Sequence, residues 1–244
     1  MASSAQPKAR PKALLIMGGD AYHNKEEHYE ELAGLFAGPC GLNITITDDL
    51  PGQTKQSLSA YDLLVLWTTL REPPAEPVNA LFDTVRAGTP LYGIHAAPYT
   101  VRMIEGGPAA IGGSYQKTFP HLPYQETTVR IYEKDHPVTT GIEDFTITDE
   151  LYCIDEITPD TTVLAGYDGR EARSSRAREG QPPDPRHELG TQWRLQQPRA
   201  PLVWTKPLGS GRIVVNALGH DGQAIATPGF RQLTVQALRW LVGS

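Results

Sequence analysis

Residues 13–19 read Ala-Leu-Leu-Ile-Met-Gly-Gly. An unbroken apolar run that stops at glycine describes a strand covered on both faces, because a strand with one wet face alternates apolar and polar residues instead. Two further apolar strands follow, Leu63–Trp67 and Pro90–Ile94. Between them lie segments with apolar residues at helical spacing. One covers 26–37, with Leu32, Leu35 and Phe36; the other is Val78–Val85, with Gly88 placed as a C-terminal cap. Ile44–Thr47 adds a short alternating strand. Strand and helix thus take turns as far as Ile94. That pattern predicts an α/β fold, a mostly parallel, doubly wound sheet flanked by helices.

Beyond this stretch the pattern changes. Residues 105–125 are rich in glycine and proline and read as one long loop. Thr127–Tyr132, Phe145–Ile147, Thr162–Ala165, Leu202–Thr205 and Arg212–Asn216 are strand candidates, with Gly209–Gly211 as the turn of an added β-hairpin. Phe230–Val242 closes the chain as a helix with Leu233, Ala237, Trp240 and Leu241 on its apolar side. Residues 168–199 hold seven arginines and four prolines. They read as a solvent-exposed insertion: a flexible loop, or a lid or oligomer contact carrying Trp193.

The chain has 244 residues, 39% of them hydrophobic and 20% charged, which is enough to bury a substantial core. The expected organisation is a disordered leader, 1–11, followed by a single domain, 12–244. A net charge of -6 with no basic face argues against a nucleic-acid partner. Cys40 and Cys153 are too far apart in sequence for a CxxC redox or zinc motif. No segment approaches the roughly 20 apolar residues of a membrane span, and the N-terminus lacks the apolar core of a signal peptide. The expectation is a cytoplasmic protein that does not engage a membrane.

In an open parallel sheet, ligands bind beyond the carboxyl ends of the strands. Here those ends carry polar clusters. The first strand runs into Gly18-Gly19-Asp20-Ala21-Tyr22-His23-Asn24, followed by His28. Glycines there allow a tight turn or close approach to a ligand; the spacing is not GxGxxG, so no nucleotide cofactor is expected. Asp20 serves either in the site or as a helix cap. The strand ending at Ile94 runs into Gly93-Ile94-His95-Ala96-Ala97, the layout of a nucleophile elbow with histidine at its apex. Imidazole is a poor hydrolytic nucleophile but a good general base or metal ligand, so His95 reads as one of these or as a structural histidine capping the next helix. Asn216-Ala217-Leu218-Gly219-His220-Asp221 ends the last strand, where Asp221 beside His220 can orient an imidazole or bind. His121, His136-Pro137 and Asp149-Glu150, followed by Tyr152, lie between. Glu150 is a candidate carboxylate base, whereas Asp149 and His136 suit turns equally well, and His187 reads as surface. None of this forms a tight motif such as HExxH, so a metal site would have to be assembled from separate loops.

Five segments taken together resemble one family. They are GGDAYHNKEEH at 18–28, GIHAA at 93–97, IGGSYQKTFPH at 111–121, DHPVTTGIEDFTITDELY at 135–152 and PLVWTKPLGSGRIVVNALGHD at 201–221. The chain resembles the ThuA-like (trehalose utilisation) family of the class I glutamine amidotransferase-like superfamily. The resemblance implies a flavodoxin-like parallel sheet flanked by helices. In amidotransferases the elbow apex is a cysteine that attacks glutamine; here the matching residue is His95, so thiol glutaminase chemistry is not expected. The resemblance also implies carbohydrate chemistry, on 3-keto sugars and their glycosides in particular.

Three expectations follow. The first is an enzyme acting on a small carbohydrate by proton transfer, through elimination, hydrolysis or isomerisation. Its catalytic residues would come from His95, Glu150, His121 and Asp20, with Gly19, Tyr22, Tyr152 and Asp221 binding substrate. His23, His95 and His220 would form a metal site, zinc being the first choice ahead of manganese or nickel. The second is a non-catalytic binding or regulatory protein that keeps the pocket without the chemistry. The third is a homo-oligomer, such as a homodimer, with the insertion as interface.

Overall fold

A computed structural model describes residues 9–19, 25–115, 121–173 and 185–243, without the side chains of 25–29 and 185–187. In chain order the elements are β1 (Lys12–Gly19), α1 (Lys25–Ala37), β2 (Asn43–Thr47), α2 (Lys55–Leu58), β3 (Leu63–Thr69), α3 (Ala75–Arg86), β4 (Leu91–Ile94), α4 (Ala97–Val101), α5 (Gly107–Ile111), β5 (Ser114–Tyr115), β6 (His121–Ile131), β7 (Phe145–Tyr152), β8 (Ile154–Asp155), β9 (Thr162–Tyr167), α6 (Pro185–Leu195), β10 (Ala200–Leu208), β11 (Gly211–Asn216), α7 (Gly222–Ala226) and α8 (Pro228–Val242).

One large sheet runs β2-β1-β3-β4-β11-β10-β9-β6-β7. The first five of these strands are mutually parallel. The remaining pairings are antiparallel. The apolar runs explain the centre. Leu15 and Met17 pack on one side with Leu32, Phe36 and Phe230, from α1 and α8. Leu14 and Ile16 pack on the other with Leu81, Phe82 and Val85 from α3. Because successive strand residues face opposite ways, a strand helix-covered on both sides must be apolar along its covered length, and residues 13–17 of β1, 63–67 of β3 and the whole of β4 are.

The C-terminal half follows from a reversal. Gly209 and Ser210 turn the chain so that Leu208 faces Gly211 and β10 returns antiparallel to β11. At the far edge β6 touches β9 only through Arg130 and Ile131, then runs on in a ribbon with β7 from Val129 to His121. The free end of this ribbon brings β7 toward the carboxyl ends of β4 and β11.

Two expectations are corrected. The stretch 105–125 is not one long loop: it holds α5, β5 and the first residues of β6, with β5 pairing to β8 in a small second sheet. A helix with Pro108 in its first turn, ended by Gly112 at φ 98, reconciles the Gly/Pro content with regular structure. The insertion 168–199 is not wholly solvent-exposed either. Its second part is α6, whose Trp193 is half-buried against the core and donates its indole N–H to the Asp155 carboxylate. Of the leader, 1–8 lie outside the described residues; Pro11 already accepts the Asn43 N–H at 2.8 Å. Among the described residues no helix is long and apolar enough to cross a membrane.

Gly19 ends β1 at φ +121, and a Cβ there would run into the Thr69 backbone. Both the backbone angle and the strand packing therefore require glycine here. Gly19→Ala should destabilise the protein by about 1–3 kcal/mol, since the backbone must distort or β1 must part from β3. Urea unfolding measures this; unchanged stability would contradict the placement.

Candidate active site at the carboxyl ends of the strands

His95 follows β4 with φ 45, a left-handed conformation uncommon for a residue with a Cβ. Its N–H donates to the Asn216 carbonyl at 2.8 Å, which holds the turn onto β11. The small neighbours make the elbow possible. A Cβ on Gly93 would lie 3.1 Å from the Ala97 Cβ and 3.3 Å from Val215, so only glycine lets α4 start this close to the strands. The His95 ring is fully buried. Its Nδ1 faces the Ala217 carbonyl at 3.4 Å. A carbonyl only accepts, so this contact favours the Nδ1–H tautomer and leaves the Nε2 lone pair directed at the site.

Three groups surround that Nε2. The Tyr152 hydroxyl and His220 Nδ1 each lie 3.2 Å away, and Glu150 Oε2 lies 3.6 Å away. Glu150 Oε2 is also 3.2 Å from His220 Nδ1. The other oxygen, Oε1, is 3.7 Å from His121 Nδ1. His121 starts β6 and is partly exposed, so it stands at the mouth of the cluster while His95 closes its floor.

His220 is held from behind by Asp149. This carboxylate is buried in β7 and accepts the N–H of Gly219 at 2.6 Å, of His220 at 3.1 Å and of Glu150 at 2.8 Å. Gly219 sits at φ +103, and a Cβ on it would lie 2.9 Å from the Phe230 ring. Asp221 caps α7 by accepting the Ala224 N–H at 2.9 Å and takes the Tyr124 hydroxyl at 2.6 Å. Its first role is therefore to fix the helix and the half-exposed Tyr124 beside His220.

The charges follow from these contacts. Burial lowers the His95 pKa below its usual value, despite Glu150 nearby. Burial would raise the Glu150 carboxyl, but the hydrogen bond from His220 and the other imidazoles nearby outweigh it and hold the group well below the usual carboxylate range. For His220, burial lowers the pKa, yet Glu150, then Asp149 and Asp221, raise it above the usual value. These shifts favour an ionised Glu150 and a neutral His95, and make His220 the imidazole of the pair that more readily takes a proton. Burial pushes the Asp149 carboxyl up to about 7, against the pull of its three amide donors.

His95, Glu150 and His220 each offer an atom within 4.8 Å of the others. Ligand atoms around a tetrahedral zinc, at about 2.0–2.2 Å from it, lie roughly 3.3–3.6 Å apart. The observed separations of 3.2, 3.2 and 3.6 Å fit that spacing. The donors also suit the ion: two imidazoles and a carboxylate, with the other nitrogen of His95 on a backbone carbonyl.

The other sequence candidates fall as follows. Asp20, Tyr22 and His23 lie outside the described residues, as does the His28 side chain. In the described part Glu150 joins His95 and His220; the expectation for His23 lies outside the described residues. Tyr152 is corrected as a direct substrate contact: it is 3% exposed, and its hydroxyl is spent on His95. His136 accepts the Val138 N–H at 3.1 Å, a turn role. Sequence reasoning missed Tyr124, which carries no local signal, and the role of Asp149. Its signal was an acidic pair inside a strand, where one carboxylate must face inward.

The trehalose utilisation (ThuA) family matches residues 12–241. The chain belongs to the ThuA family. The fold of this ThuA family member is shared by a ThuA-like protein from Bacteroides uniformis, with a TM-score of 0.70 at 19% identity over 99% of this chain and 95% of that one. A ThuA-like protein from Parabacteroides merdae gives 0.69 at 18% identity, over 96% and 90%. A glutamine amidotransferase from Thermotoga maritima gives 0.56 at 9% identity, over 97% and 100%. No curated protein matches the sequence. The α/β fold read from the apolar runs, and the amidotransferase-like fold that the resemblance implies, are thereby established.

Asp149→Asn replaces one accepting oxygen with a donor that faces backbone N–H groups. Each amide left unpaired should cost about 1–3 kcal/mol in urea unfolding. Stability equal to wild type would show that the Gly219–His220 turn does not depend on this carboxylate.

Proposed function

We propose that this ThuA family member is an enzyme acting on a sugar or 3-keto-glycoside by general acid–base chemistry at Glu150 and His121, beside His95 and His220. His95, Glu150 and His220 would hold a divalent cation, zinc first. One observation carries the reading: a buried imidazole, a second imidazole and an ionised carboxylate converge within 3.2–3.6 Å of one another at the carboxyl end of the sheet. The family's link to trehalose utilisation supports a carbohydrate substrate.

The residues suggest how the work divides. A ketone at C3 acidifies the neighbouring C–H, and an ionised carboxylate is the group suited to remove that proton. Glu150 qualifies: its Oε2 is engaged by the imidazoles, while its Oε1 faces the partly exposed His121. His121 uses Nδ1 toward Leu122 and Glu150; Nε2 has no partner among the described residues and can protonate a departing glycosidic oxygen. His95 stays neutral and holds its ring against Tyr152. When bound, the cation would polarise a substrate carbonyl or acidify a water. Elimination and isomerisation both begin with this proton removal; hydration would follow elimination, by addition of water to the enone it leaves. A histidine apex in place of the amidotransferase cysteine also fits a second reading, a binding protein that retains the pocket alone.

Metal analysis of the purified protein, followed by turnover of 3-keto-glycosides, tests both. Wild type should carry about one divalent ion per chain and turn over at least one such sugar. His95→Ala should lose the metal and at least about 10²-fold in rate. Equal turnover by the two proteins removes His95 from the mechanism. Sugar binding without turnover, across a broad panel, favours the second reading.

Metal uptake should also depend on pH. A proton and a cation compete for His220 Nδ1, and Glu150 raises the affinity of that nitrogen for the proton. Affinity should therefore fall as pH drops through the raised His220 value. Competition titrations with a zinc chelator across pH 5–8 measure this; a flat profile would exclude His220 as a ligand.

A further inference from the structure

The β6–β7 ladder slips at one point. Leu122 faces Leu151 and Gln125 faces Asp149, so Pro123 and Tyr124 together oppose the single residue Glu150. Two residues against one make a β-bulge, a device that re-aims a side chain and is frequent beside active sites. Proline suits such a position, since it has no N–H to give a ladder. The bulge is also held in place. Buried Gln125 donates its amide to the Pro123 carbonyl at 3.0 Å and accepts the Arg173 N–H at 2.6 Å. Tyr124 is thus set across from the proposed base, one strand spacing or about 5 Å from its backbone.

The bulge presents an aromatic ring beside the cluster. Tyr124 is 38% exposed, and its ring centre lies 5.7 Å from that of His220. His220 Nδ1 in turn is 3.2 Å from both Glu150 Oε2 and His95 Nε2. The Tyr124 hydroxyl is already engaged. It donates to Asp221 Oδ2 at 2.6 Å and lies 3.4 Å from Gln223 Oε1, while the other Asp221 oxygen caps α7. The side chain is therefore pinned at its backbone by the bulge and at its far end by α7. What it has left to offer a ligand is ring surface. Burial, then the hydrogen bond to Asp221, hold the phenol well above the usual tyrosine range, so the ring stays neutral.

We propose that Tyr124 is a substrate-contacting residue whose ring packs against the C–H face of a cyclic keto-sugar. The assignment rests on the function proposed above and adds that the substrate is a closed sugar ring. A pyranose carries most of its hydroxyls around its rim and presents C–H bonds on its faces. An aromatic ring covers such a face without needing hydrogen bonds from it. A tyrosine fixed at both ends does so at little cost in conformational freedom. His121 lies three residues before Tyr124 on the same strand, with its Nδ1 3.7 Å from Glu150 Oε1. A sugar resting on Tyr124 is thereby held beside the proposed base, with the proposed acid close by on the same ribbon.

Two variants separate the ring from the hydroxyl. Tyr124→Leu removes the ring, whereas Tyr124→Phe keeps it and loses only the bonds of the hydroxyl. With methyl 3-keto-glucoside as substrate, Tyr124→Leu should raise KM about tenfold and leave kcat little changed, because the contact is made equally in the ground and transition states. Tyr124→Phe should keep a KM close to that of wild type. Metal content should match wild type in both, since Tyr124 is not one of the proposed ligands. A residue that only braced α7 and His220 through its hydroxyl would behave otherwise: Tyr124→Phe would be as impaired as Tyr124→Leu, and the loss would fall on kcat. That pattern would overturn the assignment, as would an unchanged KM or a loss of bound metal in Tyr124→Leu. Wild type that neither binds nor converts any 3-keto-glycoside would overturn the function reading and this assignment with it.

Discussion

The site depends on Asp149. A carboxylate buried in β7 receives the N–H groups of Gly219 and His220 from the turn after β11, and that of Glu150 from its own strand. Burying such a group without partners would be prohibitive; with three amide donors it becomes a fixed joint between two parts of the sheet that are remote in sequence. β7 is the edge strand, separated from β11 by β10, β9 and β6 in the sheet order. Only the ribbon that β6 and β7 form beyond the sheet lets this strand reach the β4 and β11 ends. Asp149 then locks the arrangement, and the residue after it, Glu150, is delivered to the two imidazoles.

The same construction divides the charge. Asp149 and Glu150 are adjacent, so they face opposite ways on the strand. One meets backbone amides and is pushed up toward neutrality by burial, the other meets imidazoles and is held ionised. Neighbouring carboxyls with opposed shifts are the pattern expected where acid and base roles are separated. His95 and His220 differ for the related reason that one is fully enclosed and the other lies partly open beside three carboxylates. A cation would find an anionic ligand already ionised and one imidazole already neutral, and would compete with protons chiefly at His220.

How much of this the sequence reveals depends on whether the information is local. β1, β3 and β4 are legible because burial on both faces forces an unbroken apolar run, as in Leu63–Trp67. The elbow is legible because Gly93, Ala96 and Ala97 are the small residues a tight strand-to-helix turn requires. His95, Glu150 and His220 could each be picked out, but Glu150 could not be joined to the imidazoles. Its placement comes from the β6–β7 ribbon, a long-range pairing with no sequence period of its own. The glycines and prolines of 105–125 misled for a different reason: they act as helix start and stop signals around α5 as readily as loop residues. Trp193 was recognised as anomalous in a polar stretch, but its partner, Asp155, lies on a strand two residues long that no pattern identifies.

The elbow itself shows how a fold shared with amidotransferases can serve different chemistry. A left-handed apex residue is costly, and it persists only where the surroundings impose it. In a thiol enzyme that cost exposes a nucleophile at the end of the strand. Here the apex ring is fully enclosed, anchored on one nitrogen by the Ala217 carbonyl and covered by Tyr152, so it cannot attack a substrate carbon. What the strained turn achieves instead is convergence. It fixes Nε2 at 3.2 Å from a histidine brought by another strand end, and at 3.6 Å from a carboxylate brought by an edge ribbon. Three donors from three separate elements then share one focus. An apex that turned in the ordinary right-handed conformation would send the ring elsewhere and leave Glu150 and His220 as a simple ion pair. The strain is therefore better understood as fixing where a lone pair points than as activating a nucleophile.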